Sequence, residues 1–309
     1  MNIDNDKEKN AWKLINAPNP PTPPPPACGV RKPLRINGRM FNAQNVLDAC
    51  RWPWIVSIRV RQNSFASPTP SNTDSLCTGV LVKEDTVLTS ANCLHMASVL
   101  NNRQRAAPNL LVVAGDLNTK TLDISNPTPR ERYHTVCNTS IHPGNYRPDE
   151  TRATLNDIAG ENDIARKSFN IAVLKLNERV ELGDCREKAC LPSFLDLATK
   201  DNGVKNCFMA SYGTYDSTQN PSENLKESQV VLYPSYTCDL VSYPFTSAPG
   251  TTCGRFTEGR PSGLCQGDDG GMVICEDAKT STWKLFGLID YAKFKKYLKS
   301  HVQVFLDWD

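Results

Sequence analysis

Apolar and polar positions alternate along this chain in short bursts, the pattern of strands rather than helices. Trp54-Ile55-Val56-Ser57-Ile58-Arg59-Val60 has the β-branched and aromatic bias of a half-buried strand. Further short runs predict strands at Gly79 to Val82, Val87 to Thr89, Leu110 to Ala114, Ile171 to Leu176, Val230 to Tyr233, Met272 to Cys275 and Leu285 to Ile289. Clusters of Pro, Asn, Gly and Ser between them mark turns, and many short strands so punctuated imply an antiparallel barrel or sandwich. Two segments depart from this. Residues 1–27 are poor in apolar positions and end in Pro18-Asn19-Pro20-Pro21-Thr22-Pro23-Pro24-Pro25-Pro26, which favours extended polyproline II and cannot pack a core. They read as a disordered proline-rich arm, a stiff spacer sooner than a ligand for a proline-binding module. At the other end Tyr297, Leu298, Val302, Phe305 and Leu306 recur three to four apart, predicting a short terminal helix over about 293–308. Near-copies at Asn156-Asp157-Ile158-Ala159 and Asn162-Asp163-Ile164-Ala165 are a local duplication too short to build a solenoid.

Composition narrows the class. With 309 residues and 39% hydrophobic content, the chain can bury the core of one large two-lobed domain or two ordinary ones. Its 35 basic and 33 acidic residues leave a formal charge of +2, so no global field argues for nucleic acid or a membrane surface. No stretch of about 18 apolar residues offers a transmembrane helix. Twelve cysteines, without CxxC pairs or histidines at metal spacing, read as disulfides of an oxidising compartment. The four histidines form no His/Cys cluster, so neither a metal nor another cofactor is expected. Met1 to Asn10 is polar where a secretory signal has an apolar run, and the cysteines outweigh that.

One stretch organises the chemistry: Cys265-Gln266-Gly267-Asp268-Asp269-Gly270-Gly271. Ahead of it, in order, stand Trp52-Pro53-Trp54, Cys77-Thr78-Gly79, Leu88-Thr89-Ser90-Ala91-Asn92-Cys93, Ile141-His142-Pro143, Asn170-Ile171-Ala172-Val173-Leu174-Lys175-Leu176, Cys190-Leu191-Pro192 and Cys207 to Gly213. This ordered set resembles the trypsin/chymotrypsin-like serine protease family, and within it the non-catalytic homologues common in arthropods. The resemblance covers about residues 28–308. It implies an all-β fold of two packed antiparallel six-stranded β-barrels, barrel one over about 50–176 and barrel two over about 190–292.

Carried over residue by residue, the resemblance puts Asn92 at the position of the family's catalytic histidine, Asn170 at its aspartate and Asp269 at its nucleophilic serine. The reaction needs a base near pKa 7 to take a proton from a hydroxyl, and a carboxylate to orient that base. Asn92 cannot accept and return a proton. Asn170 lacks the charge that stabilises an imidazolium. Asp269 is a poor nucleophile, and its carboxylate lies where the oxyanion hole, built from the backbone N–H groups of Gly267 and Asp269, would receive negative charge. The pocket base falls on Gly263, with no acidic anchor for Lys or Arg. The region aligned with the family's activation terminus reads Arg39-Met40-Phe41-Asn42-Ala43, so activation by that cleavage is not expected, and Asp268 needs another partner. His95 is out of register for rescue, a shifted alignment would offer Asp157 or Asp163 for Asn170, and an Asp268–Asp269 dyad is the weakest alternative.

Disulfides implied by the resemblance are Cys28 with Cys190, Cys77 with Cys93, Cys207 with Cys275 and Cys238 with Cys253. Cys50, Cys137, Cys185 and Cys265 remain, with three possible pairings. Asn138-Thr139-Ser140 is a sequon that would place a glycan on Asn138. The expected protein is a secreted, catalytically inactive homologue that binds a protease, a protease substrate or an inhibitor in an extracellular cascade. Two other readings stay open: residual hydrolysis through an unrecognised constellation, and an extracellular structural or adhesive module.

Overall fold

The computed structural model describes residues 28–30, 44–46, 48–61, 73–100, 109–121, 130–144, 169–183, 185–193, 204–213, 224–233, 251–257, 268–277, 280–290 and 302–305. The proline-rich arm over 1–27 and the duplicated Asn-Asp-Ile-Ala units lie outside them.

Thirteen strands and one helix are found among these residues. Strand β1 (Gln44–Asn45) precedes a single 3-10 turn at Ala49–Arg51, where the Asp48 carboxylate accepts from Cys50 N at 2.8 Å. Strands β2 (Ile55–Arg61), β3 (Thr73–Lys83) and β4 (Thr86–Thr89) follow, then helix α1 (Ala91–Leu100), β5 (Leu110–Ala114), β6 (Arg132–Ile141) and β7 (Ala172–Leu176). These six strands close an antiparallel barrel in the order β2-β3-β4-β7-β6-β5. In β7 the side chains alternate as the pleat requires, with Ala172, Leu174 and Leu176 buried and Val173 and Lys175 half-buried.

The second sheet contains β8 (Val204–Ser211), β9 (Lys226–Leu232), β10 (Thr251–Phe256), β11 (Met272–Asp277), β12 (Trp283–Asp290) and β13 (Val302–Phe305). Its order is β1-β9-β10-β13-β12-β11-β8, and β9 also pairs with β8, so the last six strands form a ring carrying β1 outside it. The architecture is the expected pair of six-stranded barrels.

The terminal helix expected over about 293–308 is corrected within its described part. Val302–Phe305 is a strand, paired on one side with β10 (Thr252↔Val304) and on the other with β12 (Ile289↔Val304). The three-to-four spacing competed with the two-residue alternation of Val302-Gln303-Val304-Phe305, whose β-branched valines suit an extended backbone. Pairing on both sides satisfies that backbone and closes the ring, which a helix could not do.

Three apolar clusters hold the fold. Barrel one is filled by Val56, Ile58, Leu81, Val87, Val112, Leu174 and their neighbours, and barrel two by Met209, Val230, Val273, Phe286 and Ile289. The cluster of Trp52, Trp54, Val80, Leu88, Ile171, Tyr212, Met272 and Leu285 takes residues from both barrels and cements the junction between them. Fully burying one such apolar side chain contributes about 1.5–3 kcal/mol. At the junction's edge Trp52 packs edge-on to Trp283 at 5.2 Å and donates its indole N–H to Glu227 at 2.6 Å, so its one polar atom is not stranded.

Candidate functional site

The segments that carry Asn92, Asn170 and Asp269 all end at the barrel junction. Asn92 is the second residue of α1, directly after β4. Asn170 stands two residues ahead of β7 and is fully buried, and its side-chain oxygen accepts from Asn92 N at 2.9 Å. Its approach is set by Phe169, which adopts a left-handed φ of 51° and stacks on His142 at 4.6 Å. Ile171 N donates to Phe169 O at 2.7 Å, closing a tight turn about Asn170. Left-handed backbone at a bulky residue persists only where its surroundings hold it, and here the ring stack does so.

Asp269 reaches the same place from barrel two. It is buried in the turn before β11, and its carbonyl accepts from Thr78 N of β3 at 3.2 Å. Gly270 follows with φ of 75°, and a Cβ there would overlap Thr78 O and Thr89 Oγ1. Only glycine lets this turn press onto β3 and β4, three residues ahead of Asn92. Asp268, also buried, accepts from the Ser211 hydroxyl, and Gly213 leaves room for that carboxylate, since a Cβ at Gly213 would overlap it. The aspartate left in search of a partner by the Arg39 to Ala43 segment thus meets a neutral hydroxyl at the end of β8.

A buried charge network braces the junction. On the outer face of β2, Arg59 pairs with Asp116 at 2.5 Å, both side chains fully inaccessible, and Ser57 Oγ donates to the same carboxylate oxygen at 2.6 Å. Tyr212 donates its hydroxyl to Asp116 O at 2.6 Å and its backbone N–H to Thr78 Oγ1 at 3.0 Å. Burial holds the Tyr212 hydroxyl well above the ordinary tyrosine range and pushes Tyr133, beside Arg59, up to about 12. A chain of contacts therefore runs from Arg59 through Asp116 to Tyr212, next in sequence to the Ser211 that holds Asp268.

The remaining site expectations fall as follows. His95 is buried one turn beyond Asn92 on α1. Gly267, Gly263, Cys265, Cys238, Asp157 and Asp163 lie outside the described residues, and Cys253 is described only as part of the β10 backbone. The structure bonds Cys28 to Cys190, Cys77 to Cys93 and Cys207 to Cys275, and adds Cys50 with Cys185. Cysteine parity had allowed that last pair without choosing it. Asp48, Cys50 and Cys185 are the one donor cluster of metal-binding compactness among the described residues, and its two sulfurs are consumed by the disulfide. Asn138 and the free thiol of Cys137 are exposed on β6. Sequence reasoning did not find Ser211, Thr78, Phe169 or the Arg59–Asp116 pair.

Two closed rings of six strands, a junction that gathers residues 92, 170 and 269, and a glycine-rich turn ahead of β11 agree with the comparison with a known family. A family model described as trypsin matches residues 45–308. That span covers most of the chain, which therefore belongs to the trypsin family.

Proposed function

We propose that this protein is a catalytically inactive member of its family, a serine protease homologue of the arthropod type that acts outside the cell by binding. The observation that carries the reading is the trio Asn92, Asn170 and Asp269 at one barrel junction, where the reaction needs an imidazole, a carboxylate and a hydroxyl. In a triad enzyme, losing the serine alone costs on the order of a million-fold in turnover, with little further loss when the whole triad goes. The four disulfides among the described residues support an extracellular setting. A scaffold so pinned presents loops of variable sequence on a rigid frame, and those around the disarmed cleft are the surfaces offered to a protease, its substrate or an inhibitor in an extracellular cascade.

The test is a pull-down with tagged, oxidatively folded protein from the extracellular fluid of its source. Saturable recovery of one cascade protein at stoichiometric ratio is the expected result. Deposition in matrix with no protease, substrate or inhibitor recovered would favour an adhesive module instead. Asp269→Ser alone is expected to remain unreactive toward a phosphonate serine-hydrolase probe, because Asn92 still provides no base. Covalent labelling of that variant would refute the chemical argument.

A further inference from the structure

We propose that Asn138 carries an N-linked glycan and that this glycan shields the neighbouring Cys137 thiol, an inference that rests on the extracellular reading above. On a regular strand, consecutive side chains point to opposite faces, and one of Cys137 and Asn138 would be turned inward. Strand β6 is not regular there. Val136 pairs with Leu176 and Asn138 with Lys175, leaving Cys137 as the extra residue of a β-bulge. The bulge turns both side chains outward, so Cys137 and Asn138 are exposed side by side while Val136 stays in the barrel core. The thiol lies 3.4 Å from the carbonyl of Lys175, the same residue that faces Asn138 across the ladder.

Asn138 meets the requirements of an acceptor. Its sequon is completed by Ser140, two residues on and likewise exposed, with Thr139 half-buried between them. No side-chain hydrogen bond engages the Asn138 amide among the described residues. Glycosylation forms a bond from Asn138 Nδ2 to the anomeric carbon of an oligosaccharide and breaks that carbon's bond to the diphosphate of a lipid-linked donor. The amide proton leaves with the diphosphate, and nothing is oxidised or reduced. A bulky, hydrated sugar at this point costs the core nothing, because every neighbour it displaces is solvent.

The consequence concerns the thiol. An exposed cysteine in an oxidising compartment exchanges with other disulfides and couples chains together, at a rate set by thiolate fraction and access. The first sugar residues on Asn138 stand over Cys137 and limit that access. Ile141, three residues further on, pairs with Ala172, so the glycan sits about 10 Å along the strand from the end that leads to Asn170. It covers the flank of barrel one and leaves the cleft open.

The test uses the full chain secreted from a eukaryotic cell line, with peptide N-glycosidase treatment in heavy-oxygen water and peptide mass spectrometry. The expected result is an oligosaccharide on Asn138, read as conversion to a heavy-labelled aspartate, and absent from Asn138→Gln and Ser140→Ala. Maleimide labelling of the native protein should be roughly tenfold faster after glycan removal, and Cys137→Ser should abolish that increment. Unmodified Asn138 in the secreted wild-type chain overturns the proposal. A labelling rate that ignores the glycan overturns the shielding. Occupancy is read on wild-type protein, so poor secretion of a variant does not hide the answer. It is also read without reference to partner binding or turnover, so its failure is distinct from failure of the inactive-homologue reading.

Discussion

Replacing Arg59 by methionine removes the positive partner of a carboxylate that water does not reach. Arg59 and Asp116 Oδ2 are 2.5 Å apart with both side chains fully inaccessible, and the buried Asp116 Oδ1 has no hydrogen-bond partner. After the substitution Asp116 keeps only the neutral Ser57 hydroxyl at 2.6 Å. Breaking a buried pair in this way costs about 3–5 kcal/mol, because an uncompensated charge stays behind. That is a large share of a total stability of roughly 5–15 kcal/mol. Replacing both partners, as in Arg59→Met with Asp116→Leu, removes the stranded charge and is expected to recover most of the loss. The assay is urea unfolding of the oxidised protein, comparing midpoints and slopes of wild type, both single variants and the double variant. A cost below about 1 kcal/mol for Arg59→Met would refute the reasoning, as would a double variant as unstable as the sum of the singles. The effect should also reach the site. Tyr212 hangs from Asp116 O beside Ser211, so hydrogen exchange at β8 should quicken in Arg59→Met and return toward wild type in the double variant.

Three further outcomes are expected. Gly270→Ala combines about 1–2 kcal/mol for a left-handed alanine with about 1–3 kcal/mol for crowding Thr78 and Thr89, so its urea midpoint should fall correspondingly, and an unchanged midpoint would contradict the observed turn. His134 is buried with no hydrogen bond at either ring nitrogen, and burial holds its pKa low against the opposing pull of Glu178, with lesser help from the Arg186 and Arg132 charges. The unfolded chain then binds the extra proton, so stability should drop as pH falls below about 6.5 and level off once the folded-state histidine also protonates. His134→Phe should remove that part of the pH slope, and an identical profile would refute it. Replacing Cys50 and Cys185 together by serine should cost about 2–5 kcal/mol in thermal or urea unfolding, and a smaller cost would show that the pair adds little to the staple at Ala49–Arg51.

What was legible in the sequence follows from what each residue had to satisfy. Strands β2, β5 and β11 announced themselves because core packing demands runs of Val, Ile and Leu there. Strand β6 was silent: its exposed Cys137, Asn138 and Ser140 answer to water and a bulge, and only His134 and Val136 are buried. Strand β13 was misread because four residues cannot distinguish two periodicities, and its pairing with β10 and β12 decided the matter. Arg59 looked like the polar face of a half-buried strand, yet its guanidinium is wholly enclosed, since a partner far along the chain, Asp116, was invisible to local pattern. Positions 92, 170 and 269 were singled out because each sits beside an ordered anchor of the resemblance. What supports them was not: Ser211, Thr78 and Phe169 act through tertiary contacts whose residue types are unremarkable in sequence.

The central claim is that a site assembled from Asn92, Asn170 and Asp269 binds without cutting. The most direct test is turnover of a broad peptide library by the oxidatively folded chain, run beside Asp269→Ala. The account predicts no cleavage above buffer by either protein. Cleavage that withstands serine-protease inhibitors and disappears in Asp269→Ala would contradict it, making residue 269 a working catalytic group.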